Sequence, residues 1–252
     1  MGRRPGALHR LLQQLVRGRG RLRAAVLPGR LLGRTELRLG AQAGGCLVPR
    51  RYSVRIVPSA EEITRHHDPD PAENPWVNGP PPARPVEIVP YDSSWPRRFE
   101  AFAADVRAAL GDTALDVEHV GSTAVPGLAA KDVIDIDLTV PDPRAELTYL
   151  PALEAAGWVL TVREPSWHEH RCLTRRAGPR SNLHVFGPDC PEAIRHRMFR
   201  DWLVAHDDDR ERYEAAKRAA IPGGGNVMDY NARKQEVVRD IYDRLFRAAG
   251  LL

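Results

Sequence analysis

Cysteine is scarce in this chain: three in 252 residues, at positions 46, 172 and 190. The count is odd and no Cys-x-x-Cys occurs, which indicates neither a disulfide frame nor a zinc ribbon and makes a reducing cytoplasm the expected compartment. No apolar run approaches the roughly 20 residues needed to span a bilayer, so no transmembrane segment is expected. Gly223-Gly224-Gly225 is not followed by Gly-Lys-Ser or Gly-Lys-Thr, which excludes a Walker-type phosphate loop there. Internal repeats are absent. Serine does not appear before Ser53, which counts against a transit peptide, and lysine is missing from the first 55 residues.

Those 55 residues hold thirteen arginines and one acid, Glu36, a formal charge of +12; the remaining 24 basic and 32 acidic side chains sum to −8. Such a block can touch nucleic acid or an anionic membrane surface, and Leu8, Leu11, Leu12, Leu15 and Val16 allow one amphipathic helix. Disorder is nonetheless the expectation for most of residues 1–55, as from a start codon assigned too early. Pro69, Pro71, Pro75, Pro80, Pro81, Pro82 and Pro85 then predict an extended linker over 56–84. In it His66 and His67 are expected to be solvated, and Trp76 has the apolar area to dock onto the domain. Residues 85–250 are expected to form one domain, which would bury roughly two-thirds of its unfolded surface. Nucleic acid is not indicated as a partner of that domain.

Along the domain, Asp92 or a following Ser can cap a helix with Pro96 in its first turn, running to Leu110 and stopping at Gly111. Phe99, Phe102, Val106 and Leu110 recur at three and four, giving one core stripe. Alternation predicts strands over 115–120, 133–140, 158–164, 169–175 and 181–186. Further helices are predicted from Asp142-Pro143 to Gly157, from Pro191 to His206, from Asp208 to about Ile221, and from Asp229 to Ala249. The order predicts an α+β fold, a mixed β-sheet with packed helices and a helical C-terminal region.

The chemistry is concentrated in two short stretches. In Val133-Ile134-Asp135-Ile136-Asp137-Leu138-Thr139-Val140 the even positions are aliphatic and the odd positions include both aspartates, so a strand places the carboxylates side by side on one face. Their Cα atoms would stand roughly 6–7 Å apart, close enough to share a hard divalent cation such as Mg2+ and mutually repulsive without one. Upstream, the strand ending at Val120 runs into Gly121, whose missing Cβ lets backbone amides approach an anion, while Ser122 and Thr123 can cap the turn. A Gly-Ser turn followed by a strand bearing Asp-x-Asp lets main-chain N–H groups hold a triphosphate and the acids hold its metal. His119, just before the turn, either joins this site or orients the turn.

The run His119-Val120-Gly121-Ser122-Thr123-Ala124-Val125-Pro126-Gly127-Leu128-Ala129-Ala130-Lys131, continuing through Val133-Ile134-Asp135-Ile136-Asp137, resembles the signature of the GrpB-like family. The resemblance extends through His168-Glu169-His170-Arg171, Asn182-Leu183-His184-Val185-Phe186 and Phe199-Arg200-Asp201-Trp202-Leu203 to Tyr213 and Lys217, about residues 85 to 248. It implies the nucleotidyltransferase superfamily frame shared with DNA polymerase beta and a nucleoside triphosphate as ligand. It also implies a link to dephospho-CoA kinase, to which such a domain is fused in some actinobacteria; here any kinase partner would be a separate chain. The nucleotide-binding set carried over is Gly121, Ser122, Thr123, Lys131, Arg171, Arg200 and Lys217.

Nucleotidyl transfer on such a frame uses three carboxylates, and the third is not obvious. The last strand offers Asn182 and His184 on one face and no acid. In one arrangement Glu169 completes a catalytic triad with Asp135 and Asp137, Mg2+ binds the aspartates, and Arg171 pairs with phosphate. In the other, His168, His170 and His184 join the aspartates, a mixed set better suited to Zn2+, Mn2+ or Fe2+ and to hydrolysis. Strand alternation puts His168 and His170 on one face and Glu169 and Arg171 on the other, so only one pair can face the aspartates. Arg195, His196, Arg197 and Arg200 present basic side chains on successive faces of a helix, and Lys217 and Lys234 can each reach a triphosphate. Two functions follow: a metal-dependent nucleotidyltransferase, or an accessory binding domain of the same fold.

Overall fold

The structure is a computed structural model that describes residues 57–252 except 69, 71, 81, 83, 84 and 222–226. The chain divides into two units, Met1–Val54 and Arg55–Leu252. The Arg-rich block, with the disorder expected of it, lies outside the described residues.

Five strands, β1 (Asp116–Val120), β2 (Ile134–Thr139), β3 (Trp158–Glu164), β4 (His170–Arg175) and β5 (Ser181–Phe186), form one sheet in the order β1-β2-β5-β4-β3. β2 and β5 are parallel and the other neighbours antiparallel, so the sheet is mixed. Around it, among the described residues, lie α1 (Ala60–Thr64), α2 (Trp95–Leu110), α3 (Leu150–Ala155), α4 (Pro191–Ala205), α5 (Asp207–Ala219) and α6 (Val227–Ala248). This is the expected α+β architecture.

The two faces of the sheet differ because β2 alternates. Ile134, Ile136 and Leu138 are fully buried, packed with Leu183 and Val185 of β5 and with the Phe99, Phe102 and Val106 stripe of α2. Each such side chain contributes about 1.5–3 kcal/mol of transfer free energy, which fixes the strand's orientation. The opposite face is polar, and α4 crosses it, reaching β2 through His196 and β1 through Arg200. A second apolar cluster, Val125, Leu128, Leu203, Tyr213 and Ile241, joins α4, α5 and α6 to the loop after β1.

Two elements depart from expectation. The helix predicted from Asp142 to Gly157 is a 3-10 turn at Glu146–Thr148 followed by the short α3. Pro151 sits in the first turn of α3, where its missing N–H costs nothing, but it could not continue a helix from the preceding turn. The strand predicted over 169–175 begins at His170, because His168 and Glu169 both take a left-handed φ of 54°.

Within the stretch read as a linker, Ser59 and Glu62 form a reciprocal capping box that starts α1. Ile63 is buried against Tyr242, Leu245 and Phe246. Arg195, buried on α4, donates to the carbonyls of Ile63 at 3.1 Å and Arg65 at 2.7 Å and stacks over Tyr242. Further on, Trp76 bridges to Val162, with Arg163 N–H donating to Pro75 at 2.8 Å, which covers part of the β3 edge. Among the described residues no helix is long and apolar enough to cross a membrane.

Arg195→Ala removes both donors to the 63–65 backbone, and leaving such carbonyls unpaired costs roughly 1–3 kcal/mol. The amides of residues 60–65 should then exchange with deuterium faster than those of β2, and unchanged protection would show that α1 is held by Ile63 alone.

Candidate functional site

Asp135 and Asp137 lie on the polar face of β2, as alternation requires. Register places Val120 and Asn182 beside Asp135, and Glu118 and His184 beside Asp137. Gly121 turns the chain with φ 70°, and a Cβ there would stand 2.6 Å from Asp135 Oδ2. The turn therefore needs glycine twice, for its left-handed conformation and for its approach to the carboxylate.

Each aspartate is met by nitrogen donors. Asn182 Nδ2 donates to Asp135 Oδ1 at 2.8 Å, and His184 Nε2 is 3.8 Å from the same oxygen. Asp137, only 2% exposed, receives His196 Nδ1 at 2.9 and 3.2 Å on its two oxygens. His196 Nε2 in turn faces Glu192 at 3.5 Å. Behind His184, its Nδ1 lies 3.0 Å from His170 Nε2, and His170 Nδ1 lies 2.7 Å from Glu164. Glu164 accepts from His170 Nδ1, so His170 Nε2 accepts from His184 Nδ1 and the second His184 proton points at Asp135.

The electrostatics agree with this chain of donors. Burial opposes charge on His184, but Cys172, Asp135 and Asp137 outweigh it and hold its pKa well above the usual value. Burial also opposes charge on His196, and Asp137 and Glu192 raise its pKa. His170 is pushed well below the usual value by burial and by its charged neighbours His184 and His196. Burial works against the Asp135 carboxylate, yet His184, Asn182 and Lys131 keep its pKa low.

His119 stacks on Phe99 at 4.7 Å, and burial pushes its pKa down to about 4. Thr123 Oγ1 spends its one hydrogen on the Val133 carbonyl at 3.2 Å, so His119 Nε2, 3.1 Å away, is the donor to that hydroxyl. His119 thus orients the turn.

On the other side of the turn the chain's three lysines converge on two phenols. Lys131 Nζ lies 5.0 Å from the Tyr230 ring, Lys217 Nζ 4.8 Å from the Tyr213 ring, and Lys234 Nζ 5.5 Å from each. Lys217 also donates to the Ala129 carbonyl, and Lys234 lies 3.4 Å from the Tyr213 hydroxyl. Burial lowers Lys217 to about 7, with Lys234, Arg218 and Lys131 adding to the effect. Lys131 is lowered by burial and by Lys234. Tyr213 is lowered despite its burial, through Lys234, a hydrogen bond with Ser122, and Lys131. Tyr213 thereby links the Gly-Ser turn to the lysines.

Of the residues expected in a site, Gly121, Ser122, Thr123, His119, Lys131, Asp135, Asp137, His170, Asn182, His184 and Lys217 are gathered here. Three are not brought to the aspartates. Arg171 points to the other face of the sheet, where it is 6% exposed and pairs with Glu146 at 2.8 Å. Glu169 lies 3.5 Å from Arg171, and with His168 it lines an open cleft beside Arg144 and Cys190. With His170 facing the aspartates, alternation turns Arg171 and Glu169 away, and the left-handed turn at 168–169 separates His168 from His170. Arg200 reaches the rim of the site but is held by Glu118 at 2.9 Å, Asp201 at 2.7 Å and the His119 carbonyl at 2.8 Å. His196 and Lys234 were expected only as possible phosphate contacts, and Glu192, Glu164 and Tyr230 were not expected; Glu192, His196 and Arg200 share a helix face by their i, i+4 spacing, the one available signal.

Neither arrangement drawn from the sequence forms a preassembled cation site. Among the described residues no three His, Cys, Asp or Glu side chains surround one point as a metal-holding group. The Asp-x-Asp oxygens are engaged by Asn182, His184 and His196 instead.

The profile of the GrpB protein family matches residues 85–244, well over half of the chain. The chain belongs to the GrpB family. A UPF0157 protein of Halalkalibacterium halodurans is 44% identical over 162 residues, covering 63% of this chain and 82% of that protein. A dephospho-CoA kinase of Mycolicibacterium paratuberculosis is 34% identical over 186 residues, 64% of this chain but 46% of the kinase. The crystal structure of conserved protein GrpB from Enterococcus faecalis superposes with a TM-score of 0.53 at 24% identity, covering 63% of this chain and 98% of that one, so the fold is shared.

Two tests follow from the GrpB site geometry. Gly121→Ala combines a strained φ with an overlap on Asp135 and should cost about 2–3 kcal/mol in urea denaturation; a loss under half of that would deny the close approach. His196, its folded pKa raised, contributes stability that is fully present below its ordinary value of 6.5 and is lost as pH rises through the folded value. The stability difference between the wild type and His196→Gln should therefore be largest near about pH 6 and shrink on raising the pH.

Proposed function

We propose that this chain binds a nucleoside triphosphate on a nucleotidyltransferase-like frame, its phosphates resting on the Gly121-Ser122-Thr123 turn among Lys131, Lys217 and Lys234. The observation that carries this reading is the convergence of the three lysines on Tyr213 and Tyr230 beside that turn. Ammonium groups packed together repel one another and lose hydration, so their burial is unfavourable unless an anion completes the site. Phenol faces give each lysine a cation–π partner without neutralising it; Lys217, its pKa lowered by burial to about 7, is engaged by the Ala129 carbonyl, which leaves Lys131 and Lys234 for a ligand. The turn adds backbone N–H groups and the Ser122 hydroxyl.

Binding has more support than transfer. A Mg2+-dependent transferase would need Asp135 and Asp137 free to carry the ion and a third free acid near them, whereas imidazole and amide groups meet both carboxylates, Glu118 beside Asp137 is held by Arg200, and Glu169 stands elsewhere. A second reading, an accessory domain that works with a separate kinase of coenzyme A synthesis, draws on the likeness to one part of a dephospho-CoA kinase. It uses the same nucleotide site and adds a docking partner.

Calorimetric titration with ATP, GTP, CTP and UTP tests the reading. Lys131→Ala and Lys234→Ala should each weaken binding about tenfold, the loss of one charge-assisted contact. Binding indifferent to both lysines would sink it.

A further inference from the structure

We infer that this site takes its polyphosphate ligand as the free anion, without a divalent cation, because the positive partners that a metal would supply are already side chains of the protein. The inference rests on the nucleotide reading above and concerns the form in which the ligand is bound.

The two aspartates offer a cation little to hold. Asp137 is 2% exposed and both its oxygens face His196 Nδ1, at 2.9 and 3.2 Å. Mg2+ keeps several waters in a near-octahedral shell, and a carboxylate this enclosed leaves no room for them. Asp135 accepts from Asn182 on one oxygen, and its other oxygen faces the Gly121 backbone so closely that a Cβ would stand 2.6 Å away. Of the two strands beside β2, β5 presents the Asn182 amide with its donor side toward Asp135, and the Glu118 carboxylate that β1 sets beside Asp137 is held by Arg200 at 2.9 Å.

What a metal does for such a site, the protein does by other means. Repulsion between the two carboxylates is relieved by His196 on one and by Asn182 and His184 on the other. The phosphates would find their counter-charge in Lys131 and Lys234, which stand against Tyr230 and Tyr213. A chelated Mg2+ would add two positive charges beside the side chains of Lys131 and Lys234 and would weaken binding through like-charge repulsion.

The experiment compares ATP binding to the metal-stripped full chain by calorimetry in EDTA and in excess Mg2+, with Mn2+ alone titrated in parallel and followed by electron paramagnetic resonance. ATP should bind in EDTA at least as tightly as with Mg2+, up to about tenfold more tightly. Mn2+ alone should bind no site that Asp135→Asn abolishes. His196→Ala, which frees the Asp137 oxygens, should gain a Mn2+ signal that the wild type lacks. Tight ATP binding only with Mg2+, lost in Asp135→Asn, would overturn the inference and leave the nucleotide reading standing. Absence of ATP binding under both conditions would overturn the nucleotide reading itself, and this inference with it.

Discussion

Burying Ile134, Ile136 and Leu138 on one face of β2 forces Asp135 and Asp137 onto the other, and much of the surrounding structure answers the resulting repulsion. Two carboxylates at strand spacing on a half-buried face each need a donor. Asn182 comes from β5, whose parallel register sets it directly beside Asp135. His196 comes from α4, and its placement requires that helix to cross the polar face of the sheet. Gly121 must be glycine because Asp135 leans against it. Sheet order, helix path and turn conformation thus trace back to one alternating strand.

Arginine and lysine divide the remaining electrostatic work. Arg171 ties β4 to Glu146, Arg195 fastens the segment around α1, and Arg98 joins Asp92 and Asp132 at the start of α2. Each uses the planar guanidinium fork to bind two or more acceptors in fixed geometry, the task for which lysine is poorly shaped. All three lysines stand instead against Tyr213 or Tyr230. Lysine is a compact charge whose proton affinity falls on burial, as Lys217 shows. The scarcer cation is thus concentrated beside the Gly121-Ser122-Thr123 turn.

Much of this was legible in the residues. The aliphatic and acidic alternation of β2, the stripe of α2, and the bounds of β3 and β5 depend on local periodicity, which the sequence displays directly. The break before α3 was missed, although Pro151 marks it. The left-handed turn at His168 and Glu169 was not legible, because neither residue type demands that conformation and alternation reads through it as strand. It separated His168 from His170, which stayed with His184. His196 was visible as part of a helix face, but which face meets the sheet is decided by tertiary packing. The lysine cluster draws one residue from a loop and two from different helices, so no local pattern could assemble it.

The arrangement also bears on transfer as against binding. A transferase must remove a proton from an attacking hydroxyl, and it gains rate only from contacts that strengthen as the transition state forms. Asp137 holds His196, and Asp135 holds Asn182 with His184 close by. His184 directs both ring protons at acceptors, and His170 Nε2 receives one of them. His119 donates to Thr123, and its acceptor nitrogen belongs to a ring stacked on Phe99. Both Asp137 oxygens and one Asp135 oxygen are thus occupied in the ground state. Fixed cations of this kind hold a polyphosphate well at rest, which is the property of a binding site; chemistry would first require one of these bonds to open.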